Sequence, residues 1–279
     1  MNNLIESLID IAIKEDLGDG DHTSKACIPE NNIGKAHLLI KQDGILAGVE
    51  IARYVFLKID PKIKMDVFIS DGAFIKKGDI AFIVEGSTQS LLQAERLVLN
   101  IMQRMSGIAT QTNIYVEKIK GTKTKVLDTR KTTPGMRLLE KEAVKIGGGV
   151  NHRIGLYDMI LIKDNHIDFA GGITQAITKT HEYLKNTGKK LKIEVEVRSI
   201  ENIHEVLRIG GIDRVMFDNF TPQLTHEAVK LIDGKYETES SGGITLETIR
   251  DFAEAGVDFI SVGALTHQIK SLDLSLKAI

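Results

Sequence analysis

The sequence has a single cysteine, Cys27, among its 279 residues. One cysteine excludes an intrachain disulfide framework and a cysteine-rich zinc site, and Cys27 is expected to be a small apolar filler. No apolar run reaches the roughly 18 residues that a membrane-spanning helix needs. The opening MNNLIESLIDIAIKEDLGDG has neither a basic start nor a small-residue cleavage site. A secretory signal is therefore not expected, and the predicted location is cytoplasmic. An excess of either charge is also missing: 36 Lys and Arg face 38 Asp and Glu, a formal net charge of −2. That balance gives no global attraction to nucleic acid. No GxGxxG opens a strand–helix unit, which argues against a dinucleotide-binding fold. No HExxH and no cysteine cluster accompany His152 and His166, which argues against zinc.

What is present is enough apolar sequence for a core, 42% of the chain. Residues 3–15 carry apolar positions at helical spacing and predict an amphipathic helix. From there to about Gly86, short alternating runs such as KAHLLIK, KIKMDVFIS and AFIVEG are punctuated by DG and KG turns. They predict a small, mostly antiparallel sheet with a helix near 49–58. Residues 88–119 read as a long helix that Gly107 interrupts, and Gly107 is taken as a domain joint. After residue 122 the rhythm becomes strand, loop, helix. Strands are expected at KVLD, MILIK, LKIEVEV, RVMFD, YETESS and DFISVG, with helices near 137–146, 171–186, 200–209, 222–232 and 245–255. Such alternation predicts a parallel sheet with right-handed crossovers, and this many short strands suit a β/α barrel. Polar residues stand at nearly every strand's C-terminal end: Asp128, Lys163, Glu194 with Glu196, Asp218, Ser240 with Ser241, and Ser261. In a barrel these ends converge on the mouth that holds the active site.

The stretch from Asp128 to His166 gathers Arg130, Lys131, Arg137, Lys141, Lys145, Arg153 and Lys163, a local concentration in a balanced chain. Fixed cations in a poorly hydrated cleft suit a small ligand with several negative charges. Arg130 and Lys131 follow the apolar strand KVLD. His152 and Arg153 follow a triple glycine, where backbone approaches a ligand closely. Lys163 ends the apolar run MILI. Lys141 and Lys145, one helical turn apart, are expected on the surface, and His22 in a turn-rich loop is expected to be structural. Glu194 and Glu196 alternate with valines, so both face one side of their strand. With Asp218 they suit magnesium or a ribose, and a structural salt bridge to the cationic cluster is the alternative. Paired carboxylates also serve glycosidases, but so many cations argue for an anionic substrate. SSGGI (240–244) and SVGAL (261–265) follow the last two strands, where barrel loops often cradle phosphate. Arg96 sits among apolar neighbours on the long helix, which suits a buried or interfacial arginine as well as one paired with Glu95.

These segments resemble the quinolinate phosphoribosyltransferase family, also called nicotinate-nucleotide pyrophosphorylase (carboxylating). The matching stretches are EDLGDGDHTS (15–24), ERLVLNIMQRMSGIAT (95–110), DTRKTTPGMR (128–137), GGGVNHRIGLYDMILIKDNH (147–166), EVEV (194–197), FDNF (217–220), SSGGI and SVGALTH (261–267). The resemblance implies an α/β protein. An N-terminal α/β sandwich (1–110) precedes an incomplete β/α barrel (111–267) of the type II phosphoribosyltransferase kind, and 268–279 returns to the first domain. It implies transfer of the phosphoribosyl group of phosphoribosyl pyrophosphate to quinolinate. The products are nicotinate mononucleotide, pyrophosphate and carbon dioxide, with magnesium as cofactor. It also implies a homodimer or larger homo-oligomer in which Arg96 reaches the neighbouring subunit's pocket. Thr129, Arg130, Lys131, His152, Arg153 and Lys163 then meet the substrates, Glu196 and Asp218 serve ribose and magnesium, and Lys131, Lys163, Glu196 and Asp218 are the catalytic set. Ser241, Gly242 and Gly243, with Ser261, Val262 and Gly263, hold the 5′-phosphate.

Rival readings are a nicotinate phosphoribosyltransferase, which the abundance of cations disfavours, and a paralogue linked to molybdenum transport. A third is a lipoyl- or biotinyl-type carrier, suggested by DGAFIKKGDIAFIVEG with Lys76 and Lys77. The carrier reading leaves the barrel unexplained.

Overall fold

A computed structural model describes residues 2–279. The chain forms two compact units. One comprises the chain up to Asn113 with Lys131–Gly148 and Ala264–Ile279, and the other comprises Ile114–Arg130 and Gly149–Gly263.

The first unit begins with α1 (Asn3–Leu17), capped by the Asn2 side chain on Leu4 N. Asp21 caps α2 (His22–Cys27) by accepting from Ser24 N at 2.9 Å. His22 thus opens a helix where a loop was expected, and Cys27 is exposed rather than a buried filler. Next come β1 (Ile33–Ile40), β2 (Gly44–Ile45), α3 (Val49–Ile59), β3 (Lys64–Val67), β4 (Phe74–Ile75) and β5 (Ile80–Ser87). With the C-terminal β12 (Leu274–Ala278), β1, β5 and β3 build an antiparallel sheet in the order β12-β1-β5-β3, and β2 pairs with β4 in a separate two-stranded sheet. The period of two along β1 turns Ala36, Leu38 and Ile40 inward. Phe56 of α3 meets Phe82 of β5 edge-on, with ring centroids 6.2 Å apart. Lys76 and Lys77 lie in the β4–β5 turn, pinned through their backbone amides by Asp79 and Asp43 at 2.8 Å each.

The long helix α4 (Thr88–Lys118) runs through Gly107 without a break, contrary to the interruption expected there. A Cβ at Gly107 would stand 2.4 Å from the Lys270 carbonyl oxygen, so this glycine permits close backbone packing rather than a joint. In α5 (Arg137–Ile146), Lys145 is exposed and pairs with Glu142 at 2.9 Å. Lys141 is only 1% exposed, which overturns its expected place on the surface. It lies one turn from Val144, in the stripe that buries Glu140, Ala143 and Val144. The short α11 (Ala264–His267) completes this unit.

The second unit is an open sheet of six parallel strands. These are β6 (Lys125–Leu127), β7 (Ile160–Ile162), β8 (Ile193–Val197), β9 (Arg214–Asp218), β10 (Glu237–Ser241) and β11 (Phe259–Ser261), in the order β6-β11-β10-β9-β8-β7. The order ends at β6 and β7, so the barrel is incomplete. The connecting helices are α6 (Asp164–Ala170), α7 (Ile173–Thr187), α8 (Ile200–Ile209), α9 (Pro222–Ile232) and α10 (Ile249–Glu254). α7 is the helix expected near 171–186, and α6 before it, separated by Gly171 and Gly172 at positive φ, was not expected. Thr221 caps α9, whose first residue is Pro222, the position where a missing N–H costs nothing. Every residue of β8 is buried, as in a sheet covered on both faces.

Candidate active site

The parallel register brings the ends of six strands to one mouth of the second unit. Asp128 follows β6, Lys163 follows β7, Glu196 is the last residue but one of β8, and Asp218, Ser241 and Ser261 end β9, β10 and β11. Asp128 is fully buried and accepts from His152 N at 2.8 Å, which fixes the loop after the triple glycine to the β6 end. Arg153 is 9% exposed, and its Nη1 donates to the Met159 carbonyl at 3.1 Å. Burial, and then the neighbouring Arg130 charge, lower the Arg153 pKa. A like charge nearby and partial burial both disfavour the charged guanidinium, and an anion bound there would offset both.

Opposite in charge are Glu196 and Asp218. Lys163 Nζ stands 3.7 Å from Glu196 Oε2. Burial raises the Glu196 pKa, Lys163 opposes that shift, and Asp218 adds to it. Asn219, in the left-handed region at φ 57°, donates from Nδ2 to Asp218 Oδ2 at 3.0 Å. Glu194 shares the face of Glu196 but lies deeper, with no exposure, and its Oε2 is 2.9 Å from His152 Nε2. Of the two glutamates, Glu196 is therefore the one at the mouth.

The loop after β10 is shaped by glycine. A Cβ at Gly242 would meet Asn219 Oδ1 at 2.3 Å, while Gly243 at φ 63° faces open space. In the loop after β11, Val262 N donates to Leu127 O at 3.0 Å. That amide belongs to the sheet, so Val262 is not a backbone donor to a phosphate. His166 Nδ1 accepts from Lys163 N at 3.0 Å and closes the first turn of α6, a structural role.

Of the remaining predicted residues, Lys131 and Arg96 belong to the first unit. The Lys131 carbonyl accepts from Thr266 Oγ1 at 2.8 Å. Two residues on, Thr133 N donates to Glu140 Oε2 at 3.2 Å, and Thr133 Oγ1 accepts from Arg104 Nη2 at 2.8 Å. Arg104 Nε in turn donates to the fully buried Glu140 at 2.8 Å. This latch between α4 and α5 holds the turn that carries Lys131. Arg96 is exposed on α4, and among the described residues the ion pair with Glu95 does not form.

Sequence reasoning passed over Arg104, Glu140, Arg214 and Glu239. Arg214 Nη1 is 3.1 Å from Glu239 Oε2 and its Nη2 is 3.0 Å from Glu237 Oε2. Its guanidinium lies 4.1 Å from the centroid of the Phe259 ring. The signal was in ETESS: Glu237, Glu239 and Ser241 alternate there as the glutamates do in EVEV.

A strand-end mouth that brings together Arg153 and Lys163, the carboxylates of Glu196 and Asp218 and the glycine loop after β10 suits a β/α-barrel enzyme with a polyanionic substrate. Comparison with known proteins gives the particular family. The model of the quinolinate phosphoribosyl transferase C-terminal domain matches residues 108–277, and that of the N-terminal domain matches residues 21–106. The chain is 46% identical to quinolinate phosphoribosyltransferase [decarboxylating] 1b of Nicotiana tabacum, covering 98% of this chain and 82% of the relative. It is 42% identical to the probable nicotinate-nucleotide pyrophosphorylase [carboxylating] of Bacillus subtilis, covering 99% and 94%. The solved nicotinate-nucleotide pyrophosphorylase of Francisella tularensis superposes with a TM-score of 0.91 at 39% identity, covering 100% of this chain and 97% of that one. The chain belongs to the quinolinate phosphoribosyltransferase family.

Proposed function

We propose that this protein transfers the phosphoribosyl group of phosphoribosyl pyrophosphate to quinolinate with loss of carbon dioxide, giving nicotinate mononucleotide and pyrophosphate in NAD biosynthesis. The observation that carries the reading is the family match over residues 21–106 and 108–277, and the nearly buried Arg153 beside the mouth suits an anionic substrate. Arg130, Arg153 and Lys163 neutralise the quinolinate carboxylates and orient the pyridine nitrogen toward the ribose C1. Thr129 and Lys131 meet the substrates from the same loop, with Lys131 and Lys163 countering the charge on the departing diphosphate. As the C1–O bond lengthens, positive charge builds on the ribose ring, and Glu196 and Asp218 stabilise it. The work is positioning and electrostatics, and no side-chain nucleophile is required. The bond to the adjacent carboxylate then breaks, its electron pair stays on the ring carbon beside the positively charged nitrogen as carbon dioxide departs, and that carbon takes a proton from solvent to give nicotinate mononucleotide.

Magnesium fits Glu196 and Asp218, because burial and the neighbouring Asp218 charge both disfavour the Glu196 carboxylate, and a hard cation held by the two oxygen donors would offset that. Bound there with the diphosphate, the ion supplies charge neutralisation of the leaving group. Ser241, Gly242, Gly243, Ser261 and Gly263 hold the 5′-phosphate. Arg96, exposed on α4, serves the pocket of a second copy, so the active unit is a homodimer or larger assembly. Among the described residues no helix is long and apolar enough to cross a membrane. The test is incubation of the protein with both substrates and magnesium, following nicotinate mononucleotide by mass. Folded protein that forms none rules the reading out.

A further inference from the structure

Behind the mouth lies a group of buried charges that substrate binding does not account for. His152 Nε2 stands 2.9 Å from Glu194 Oε2 and 3.5 Å from Glu239 Oε2, and both glutamates have no exposure. The other ring nitrogen, Nδ1, accepts a hydrogen bond from Arg153 N at 2.7 Å.

We infer that Glu194 and Glu239 are positioning residues that hold His152 as the neutral imidazole with its proton on Nε2, so that the ring orients Arg153 instead of meeting substrate as a cation. The inference rests on the reading that Arg153 binds quinolinate. Nδ1 accepts the Arg153 amide proton, so it offers a lone pair and carries no proton of its own. With Nδ1 occupied as an acceptor, the proton of the neutral ring is on Nε2, the nitrogen that faces the carboxyl groups of Glu194 and Glu239. One proton on the ring makes it neutral, and one nitrogen faces the glutamates while the other fixes the backbone of Arg153.

The glutamates are themselves held. Arg214, from the strand between theirs, contacts Glu239 at 3.1 Å and is kept in place by Glu237 at 3.0 Å and by the Phe259 ring. Arg214 also supplies the positive charge that a metal ion among His152, Glu194 and Glu239 would bring. Asp128 from β6 binds the His152 amide at 2.8 Å, so the residue is anchored by backbone and ring together. A continuous chain of contacts therefore runs from Phe259 through Arg214, Glu239 and His152 to the backbone of Arg153. The two substrate carboxylates then meet guanidinium and ammonium groups rather than an imidazolium.

The first test is nitrogen-15 NMR of the histidines in the whole wild-type protein at neutral pH, with the His152 signal assigned by its loss in His152→Asn. A single proton, on Nε2, is expected. A proton on Nδ1, or on both nitrogens, overturns the inference. The second test is kinetic. Glu194→Leu removes the acceptor, and its quinolinate KM is expected to rise about tenfold, the effect of one buried group left unpaired. The KM for phosphoribosyl pyrophosphate is expected to stay unchanged, and Glu194→Gln, which keeps an acceptor oxygen, to stay near wild type. A folded Glu194→Leu with unaltered quinolinate KM overturns the inference, as does a Glu194→Gln equally impaired. If Glu194→Leu does not fold, the tautomer decides alone. Arg153→Ala separates the two readings: unchanged quinolinate affinity there removes the substrate assignment, whereas the tautomer measurement bears on the histidine directly.

Discussion

Glu239 and Arg214 meet across neighbouring parallel strands at 3.1 Å, with the glutamate wholly buried. Burial, and then the charge of Glu194, push the Glu239 carboxyl up to about 8, and burial pushes Glu194 up to about 7. The folded protein therefore keeps protons that the unfolded chain has already lost above its ordinary 4.5. This contribution to stability is complete below that value and is lost as pH rises through the folded values, up to about 8. Thermal melts at rising pH are expected to show a falling Tm across this window. Glu239→Gln, neutral at every pH, is expected to flatten the fall. An equal slope in both proteins would show that the buried pair does not set it.

On the proposed assignment Arg130 and Arg153 each meet a quinolinate carboxylate, and removing either guanidinium leaves that carboxylate without its partner. Arg153→Ala is expected to lose about 2–5 kcal/mol of transition-state stabilisation, read as kcat/KM for quinolinate. Arg130→Ala is expected to lose activity in the same direction. Wild-type efficiency in both variants would remove the dicarboxylate assignment.

Glu140 joins Arg104 to the turn that carries Lys131. Its removal strands the Arg104 charge and the Thr133 amide. Arg104 is 24% exposed, so water recovers part of the loss. Glu140→Ala is expected to cost about 2–3 kcal/mol in urea unfolding, below the about 3–5 kcal/mol of a fully buried pair broken on one side. A loss under about 0.5 kcal/mol, the scale of ordinary surface changes, would mean that the latch is not structural.

Gly107 lies inside a helix, where alanine normally stabilises by about 1 kcal/mol. Here the added Cβ would stand 2.4 Å from the Lys270 carbonyl. Gly107→Ala is expected to destabilise by about 1–3 kcal/mol instead. The sign of the change in urea midpoint decides.

The fold class and most elements were legible because the apolar period is strong. RVMFD became β9 over all its residues, and helices 137–146, 200–209 and 222–232 were found with their bounds. The site cations were legible as residues that end apolar strands. What escaped was decided by contacts distant in sequence. Gly107 reads as a break until Lys270 is placed against it. Lys141 reads as surface by type, although its helical position places it in the buried stripe. Glu239 and Arg214 carry no motif, and their role appears only when β8, β9 and β10 lie side by side.

The shared-site proposal predicts complementation. Arg96→Ala and Arg153→Ala proteins, each inactive alone, are expected to recover part of the activity after mixing and subunit exchange. No recovery despite demonstrated exchange would confine Arg96 to its own chain.

The most direct measurement of the central claim follows quinolinate labelled in the carboxylate beside the ring nitrogen. With phosphoribosyl pyrophosphate and magnesium, labelled carbon dioxide and nicotinate mononucleotide are expected in equal amounts, and nicotinate in place of quinolinate is expected to give no nucleotide. Folded protein that releases no label, or that uses nicotinate as readily as quinolinate, would contradict it.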